Sequence, residues 1–186
     1  MQTECKLQLL PGRPTNVAGR LPKEVRCYDL LDSLSIYYER IDHEPMATIA
    51  DCEEVDKLLE VPICKNLFLC NSQKTNFYLF MLPGHKKFDT KQISKQLNTA
   101  RLSFANETFL EELLDLTPGS VTLLGLMKDI DHKVQLVIDQ DVLQEEYIAC
   151  HPCINTSSIR MKTADVVNIL LPHILHNPIL VELISP

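Results

Sequence analysis

Apolar and polar residues alternate along this chain in two distinct rhythms. After a polar stretch containing Pro11-Gly-Arg-Pro14, Pro22 opens a segment in which Val25, Tyr28, Leu30, Leu31 and Leu34 recur every three to four residues. That spacing predicts a helix. Residues 36–43 alternate as a strand does, and residues 50–59, acidic first and apolar later, suit a helix favoured by its own dipole. The runs Lys65–Cys70 and Phe77–Leu82 are strand-like and joined by the short polar connection Asn71-Ser-Gln-Lys-Thr-Asn76, which predicts a hairpin. Helical patterns follow at 89–97 and 106–114. Thr117-Pro-Gly-Ser120 is a turn signal. Further strands are predicted at 121–126, 133–138, 147–151 and 158–161. A helix is predicted at 163–171 with Thr163 as its N-cap, and a closing strand at 179–184.

Hairpins and helical crossovers are mixed in this order. The expected fold class is therefore α+β, a single domain with a central mixed sheet flanked by helices, rather than a regular doubly wound fold. Residues 1–21 show no apolar period and read as an N-terminal extension or peripheral arm, and residues 22–186 as the domain. No repeat, low-complexity tract or interior linker interrupts it.

Composition narrows the class without naming the chemistry. With 186 residues, 45% apolar and 23% charged, the chain has ordinary globular usage. No apolar run reaches the ~18 residues needed to cross a bilayer, and the first residues lack a signal-peptide pattern. The expectation is a soluble cytoplasmic protein without a membrane partner. A net charge of −7 argues against a broad nucleic-acid grip. Residues 84–95, with four lysines and one aspartate, offer a local basic patch; the same lysines also fit a solvated loop and helix face. The seven cysteines are odd in number and irregularly spaced. They read as buried reduced thiols rather than a disulfide framework.

Glycine-rich phosphate loops, the Gly-x-Ser-x-Gly elbow and His-Glu-x-x-His are absent. Two strings are dense in polar groups: Cys64-Lys-Asn66, and Cys150-His-Pro-Cys-Ile-Asn-Thr-Ser-Ser158. Lys65 and Asn66 begin an apolar strand, where a charge and an amide can meet an anionic or polyhydroxyl ligand; a strand-edge lysine reaching for water accounts for the same residues. Asn155, Thr156, Ser157 and Ser158 can build a rigid turn that presents N–H donors to a carbonyl or oxyanion, or a plain connection. Cys150-His-Pro-Cys153 has the spacing of a redox or zinc motif, but no second ligand pair has the right spacing.

Together these strings resemble the YbaK/ProX family, the prolyl-tRNA editing domain, and most nearly its freestanding members. The likeness runs from about Val25 to Ile184 in the family's order. Tyr37-Tyr-Glu-Arg-Ile-Asp-His43-Glu-Pro45 with Thr48 is similar to its early strand, and Lys65-Asn66-Leu-Phe-Leu69 to its Lys-Asn strand. Arg101-Leu-Ser-Phe-Ala-Asn106 is similar to the segment before its second helix pair. Pro118-Gly-Ser-Val-Thr-Leu-Leu-Gly125 occupies its Gly-x-x-x-Pro loop, and His151-Pro152 with Asn155-Thr156 its late loop.

The resemblance implies the family's partly barrel-like sheet and a deacylase that acts on the acceptor end of mischarged tRNA(Pro), without cofactor or metal. Prolyl-tRNA synthetase is a further candidate partner. It implies catalytic roles for Lys65, Asn66 and His151, and substrate contacts from His43, Thr48, Gly119, Leu123, Asn155 and Thr156. Lys65 would hold the phosphate or ribose end, Asn66 orient the ester or the attacking water, and the Gly119 loop take the α-amine. The Lys-Asn pair points to alanine as the amino acid removed. Leu123 stands where the family has proline, a difference that bears on amino-acid choice. A member that keeps the fold but only binds or regulates is the alternative implied by that same change.

Overall fold

The computed structural model describes residues 7–45 and 49–184. The elements are β1 (Leu10–Pro11), α1 (Pro22–Ser33), β2 (Tyr38–Asp42), α2 (Ile49–Leu59), β3 (Lys65–Cys70), β4 (Phe77–Leu82), α3 (Thr90–Gln96), β5 (Ser103–Phe104), α4 (Glu107–Leu114), β6 (Val134–Asp139), β7 (Tyr147–Cys150), β8 (Ser157–Lys162), α5 (Thr163–Asp165), α6 (Leu171–His173) and β9 (Ile179–Val181). They form two sheets. One runs β1-β2-β8-β7 and is antiparallel throughout. The other runs β5-β3-β4-β6-β9, with β4, β6 and β9 parallel. An isolated parallel bridge between Ile63 and Ala149, with Cys64 N–H donating to Ala149 O at 3.3 Å, ties the sheets together at one edge. The α+β expectation holds, and the barrel stays open.

Side-chain alternation explains the layers. Phe68, Cys70, Leu79, Met81, Ile148 and Ile159 turn inward and meet Tyr28, Leu31 and Leu110 from the helices in the main core. On the outer faces, α3 covers one sheet through Ile93, and α2 covers the other through Val55 and Leu59 against Ile41 and Ala149. β4 lies between two covered faces and is buried at every position. Its unbroken run Phe77-Tyr-Leu-Phe-Met-Leu82 is what that placement requires.

Three expectations are corrected. Residues 121–126 do not form a strand: Leu123–Lys128 is a 3-10 turn, with Thr122 Oγ1 accepting from Leu124 N–H. Leu123, Leu124, Gly125 and Leu126 are all buried, so the apolar run carries no period that separates helix from strand. Thr163 is the first helical residue and not the cap; its hydroxyl donates to Glu145 O at 2.6 Å. The last strand stops at Val181, because the backbone N–H groups of Glu182 and Ile184 turn to the side chains of Gln96 and Gln92. Between α5 and α6 the helix continues through a π-type turn, Val166–Leu170.

Two short strands carry no signal in the pattern. β5 adds to the edge of β3. β1 lies in the stretch read as an arm and pairs with β2 at the sheet edge, where proline is tolerated. Leu7 and Leu9 pack against the cluster around Ile41.

Candidate active site

The ends of five strands converge on one rim. β2 ends at Asp42, β7 ends at Cys150, and β3 and β8 begin at Lys65 and Ser157. β4 ends opposite Lys65, since Leu82 is its pairing partner. His43 follows β2, and its N–H donates to Thr156 O at 3.0 Å. The His43 ring and the His151 ring lie 6.1 Å apart, with Ser158 between them. Ser158 Oγ is 2.9 Å from His43 Nε2 and 3.3 Å from His151 Nδ1.

The carbonyls around these rings assign the neutral tautomers. His43 Nδ1 is 2.8 Å from Glu44 O, and His151 Nδ1 is 2.9 Å from Ser157 O. Each neutral ring therefore carries its proton on Nδ1 and offers a lone pair at Nε2. The Ser158 hydroxyl donates to Nε2 of His43. Nε2 of His151 has no partner among the described residues. Burial lowers the His151 pKa below 6.5, the His43 ring lowers it further, and the Ser157 carbonyl only partly offsets them. His151 is thus neutral near pH 7 and can accept a proton or orient a water.

That depressed value makes stability depend on pH. Below about 6.5 the unfolded chain binds a proton at His151 that the folded chain refuses, so stability falls as pH drops. Urea unfolding midpoints compared at pH 7.5 and 5.5 are expected to fall less for His151→Gln than for the wild type. An equal fall in both would show that His151 does not carry the effect.

The bridge at Ile63 and Ala149 brings Lys65 to this rim. Lys65 stands two residues beyond one bridge partner, as His151 does beyond the other. Lys65 is exposed, and its ammonium donates to Lys86 O at 3.0 Å. Asn66, on the opposite face of β3, donates from Nδ2 to Cys64 O at 3.0 Å, while its Oδ1 is buried without a partner. An orphaned acceptor of this kind is costly and calls for a water or a substrate N–H.

The loops complete the rim. Gly119 has φ +85°, and a Cβ there would lie 3.7 Å from Asn155 Nδ2. The left-handed turn therefore needs glycine, and it sets the Thr117–Ser120 backbone against the late loop. Asn155 and Thr156 line a cavity of about 400 Å³ with Gly19, Arg20, Asp42 and Thr117. Leu123 does not reach this cavity. Its side chain is fully buried in the main core, and Thr122 before it is extended at φ −154°, ψ 153°. That conformation is open to a residue preceding proline. Thr48 lies outside the described residues.

The rim also contains residues that sequence reasoning passed over. Ser158, expected only as part of a rigid turn, lies in β8 and bridges the two histidines through its hydroxyl. Arg20, in the arm, makes paired contacts to Asp42 at 2.6 and 3.1 Å and a further contact to Glu24. The hydrogen bond to Asp42 outweighs burial and raises the Arg20 pKa. Nothing local marks Arg20, because its partners come from α1 and β2. Of the cysteines near the rim, Cys64 and Cys150 are pushed up to about 12 by burial, so neither is an activated nucleophile. Cys153 Sγ lies 3.4 Å from Cys27 Sγ, so the two cysteines of the Cys-x-x-Cys string have different surroundings.

A sequence model of the aminoacyl-tRNA editing domain matches residues 43–169. The chain is 32% identical over 140 residues to the prolyl-tRNA editing protein ProX of Acetoanaerobium sticklandii, covering 75% of this chain and 85% of that one. It is 29% identical over 156 residues to the prolyl-tRNA synthetase associated domain-containing protein 1 of Mus musculus, covering 82% and 91%. A crystal structure provisionally described as a trans-editing enzyme for prolyl-tRNA synthetase superposes with a TM-score of 0.66 at 16% identity. That match covers 89% of this chain and 99% of the other.

Proposed function

The chain belongs to the aminoacyl-tRNA editing domain family, and from that premise we propose that it clears alanine from tRNA(Pro) as a freestanding deacylase. The reaction class is hydrolysis of an aminoacyl-tRNA ester. The supporting observation is the convergence on one rim of Lys65, the His43–Ser158–His151 hydrogen-bond chain and the Gly119 turn beside Asn155.

The chemistry follows from what those groups offer. Water adds to the ester carbonyl, and the bond from that carbon to the ribose oxygen breaks. The proton lost by the water ends on the ribose oxygen, with the vicinal hydroxyl assisting. His151 Nε2 is a neutral acceptor for the water, and Asn66 Oδ1, on the other face of β3, is a separate acceptor for a second water or a substrate N–H. Lys65 supplies positive charge to the phosphate or ribose end. The Gly119 backbone takes the α-amine, while His43, Asn155 and Thr156 shape the amino-acid pocket. A synthetic site for proline cannot strongly reject a smaller apolar amino acid, since a methylene is worth only ~1–3 kcal/mol. A second site that admits the smaller one supplies the missing discrimination.

No described helix is long and apolar enough to cross a membrane. The proposed setting is the cytoplasm, with tRNA as substrate and prolyl-tRNA synthetase as an associate. The test is deacylation of tRNA(Pro) charged separately with alanine, cysteine, serine or proline. Loss of alanine with proline spared is the expected result. Preferred loss of cysteine or serine would move the specificity, and hydrolysis of none would leave a binding module in place of the enzyme.

A further inference from the structure

The lysines of residues 84–95 divide into two populations. Lys86 is buried and held by Asp139 and Asp141. Lys87, Lys91 and Lys95 are exposed and have no carboxylate partner among the described residues. The shape of α3 explains why. Ile93 and Ser94 face inward, and Gln92 and Gln96 are fastened to the backbone at Ile184 and Glu182. That leaves Lys91 and Lys95, one helical turn apart, on the free side. Of the nearby acids, Asp89 spends its carboxylate on the N–H groups of Lys91 and Gln92, and Glu182 lies on the glutamine side.

The segment after α3 extends this surface. Leu102 N–H donates to Ser94 Oγ at 3.1 Å, which holds that segment against the helix. Arg101 is exposed there, and every other described arginine is in an ion pair. Phe104, on the edge strand β5, is 65% exposed, with its ring 5.8 Å from that of Phe88 in an edge-on arrangement. The surface therefore runs from the Lys65–Lys86 contact at the rim along α3 to Arg101 and Phe104. Unpaired cations beside an open aromatic face are what a single-stranded nucleic acid requires: charge for its phosphates and a ring for its bases.

Resting on the deacylase reading, we infer that this α3 ridge is the docking surface for the acceptor end of the tRNA, with Lys87, Lys91, Lys95 and Arg101 on its phosphates and Phe104 stacking on an unpaired base. On a chain of net charge −7, this strip gathers four unpaired cations beside an open ring, and it leads the strand toward Lys65.

Binding of uncharged tRNA(Pro) to the full chain, followed by fluorescence anisotropy over a salt series, tests it. The Lys91→Glu/Lys95→Glu variant is expected to weaken binding by about tenfold or more and to reduce the slope of log K against log salt by about 1.4 for two single-strand contacts. KM for aminoacyl-tRNA rises by a similar factor at unchanged kcat, and Lys91→Arg/Lys95→Arg restores both. Phe104→Ala weakens binding by about tenfold, and the effect disappears with tRNA lacking its unpaired 3′ end. A control variant at two other exposed lysines, Lys128→Glu/Lys162→Glu, leaves binding near the wild-type level. Equal weakening by ridge and control variants, or no weakening by either, overturns the inference. If no ester is hydrolysed yet binding still depends on Lys91 and Lys95, the deacylase reading fails and the ridge stands. If hydrolysis persists with unchanged KM in the ridge variant, the reverse holds.

Discussion

Lys65→Ala is expected to lower kcat/KM for alanyl-tRNA(Pro) by about a hundredfold or more, the range seen when one preorganised donor to a developing charge is removed. The fold should not suffer. The side chain is exposed, and its hydrogen bond is to the Lys86 carbonyl at the surface of the rim. The melting temperature is therefore expected to stay within a degree or two of the wild type, separating loss of chemistry from loss of structure. Lys65→Arg keeps the charge but replaces a compact ammonium by a broad planar fork, so only partial recovery is expected. Single-turnover deacylation of alanyl-tRNA(Pro) measures all three proteins. Full activity in Lys65→Ala would remove Lys65 from the site even if the deacylase activity were confirmed.

The second large effect is on stability. Lys86 Nζ is 2.8 and 3.1 Å from the two carboxylate oxygens of Asp139, and 2.7 Å from Asp141. Asp139 is fully buried and also accepts from the N–H groups of Asp141 and Leu183. Truncating Lys86 to alanine strands that carboxylate inside the protein, a change that costs about 3–5 kcal/mol. For a chain of this size it corresponds to a fall of roughly 10 °C in melting temperature. Lys86→Met/Asp139→Asn removes both charges and is expected to recover most of the loss. If the single and double variants melt together, the pair does not carry this stability. The loop has a second consequence: the Lys86 carbonyl holds Lys65. Loosening it should therefore also reduce deacylation.

Much of the fold is legible from local pattern. β3 ends and β4 begins where their apolar runs do, because Asn71 and Asn76 close the hairpin between them. Asp89 and Asn106 start their helices as caps, each accepting backbone N–H groups. What failed locally is equally specific. Residues 122–126 are buried at every position, so the run lacks the contrast that encodes a period. β1 and β5 are two-residue edges that exist only because β2 and β3 offer them partners.

The candidate site divides in the same way. Its residue types and their order, Lys65-Asn66, the Gly119 turn and His151 through Thr156, stand in the sequence and suffice for the family resemblance. Their meaning as a site is tertiary. Lys65 and His151 are 86 positions apart in number and share a rim through one bridge, Ile63 to Ala149, that joins two sheets. Asn66 looks away from Lys65 because successive strand residues face opposite sides. Leu123, the position that departs from the family's pattern, has its side chain in the core, a placement only the tertiary structure gives. Lys86 and Lys91 look alike in a charge count, yet one is an ion pair sealed by Asp139 and the other a free cation. Sequence by itself determined the elements and the chemical groups, because propensity, capping and period act over a few neighbours. Only the tertiary structure decided which groups meet, which charges are spent and which face the solvent, since those depend on contacts between residues far apart in the chain.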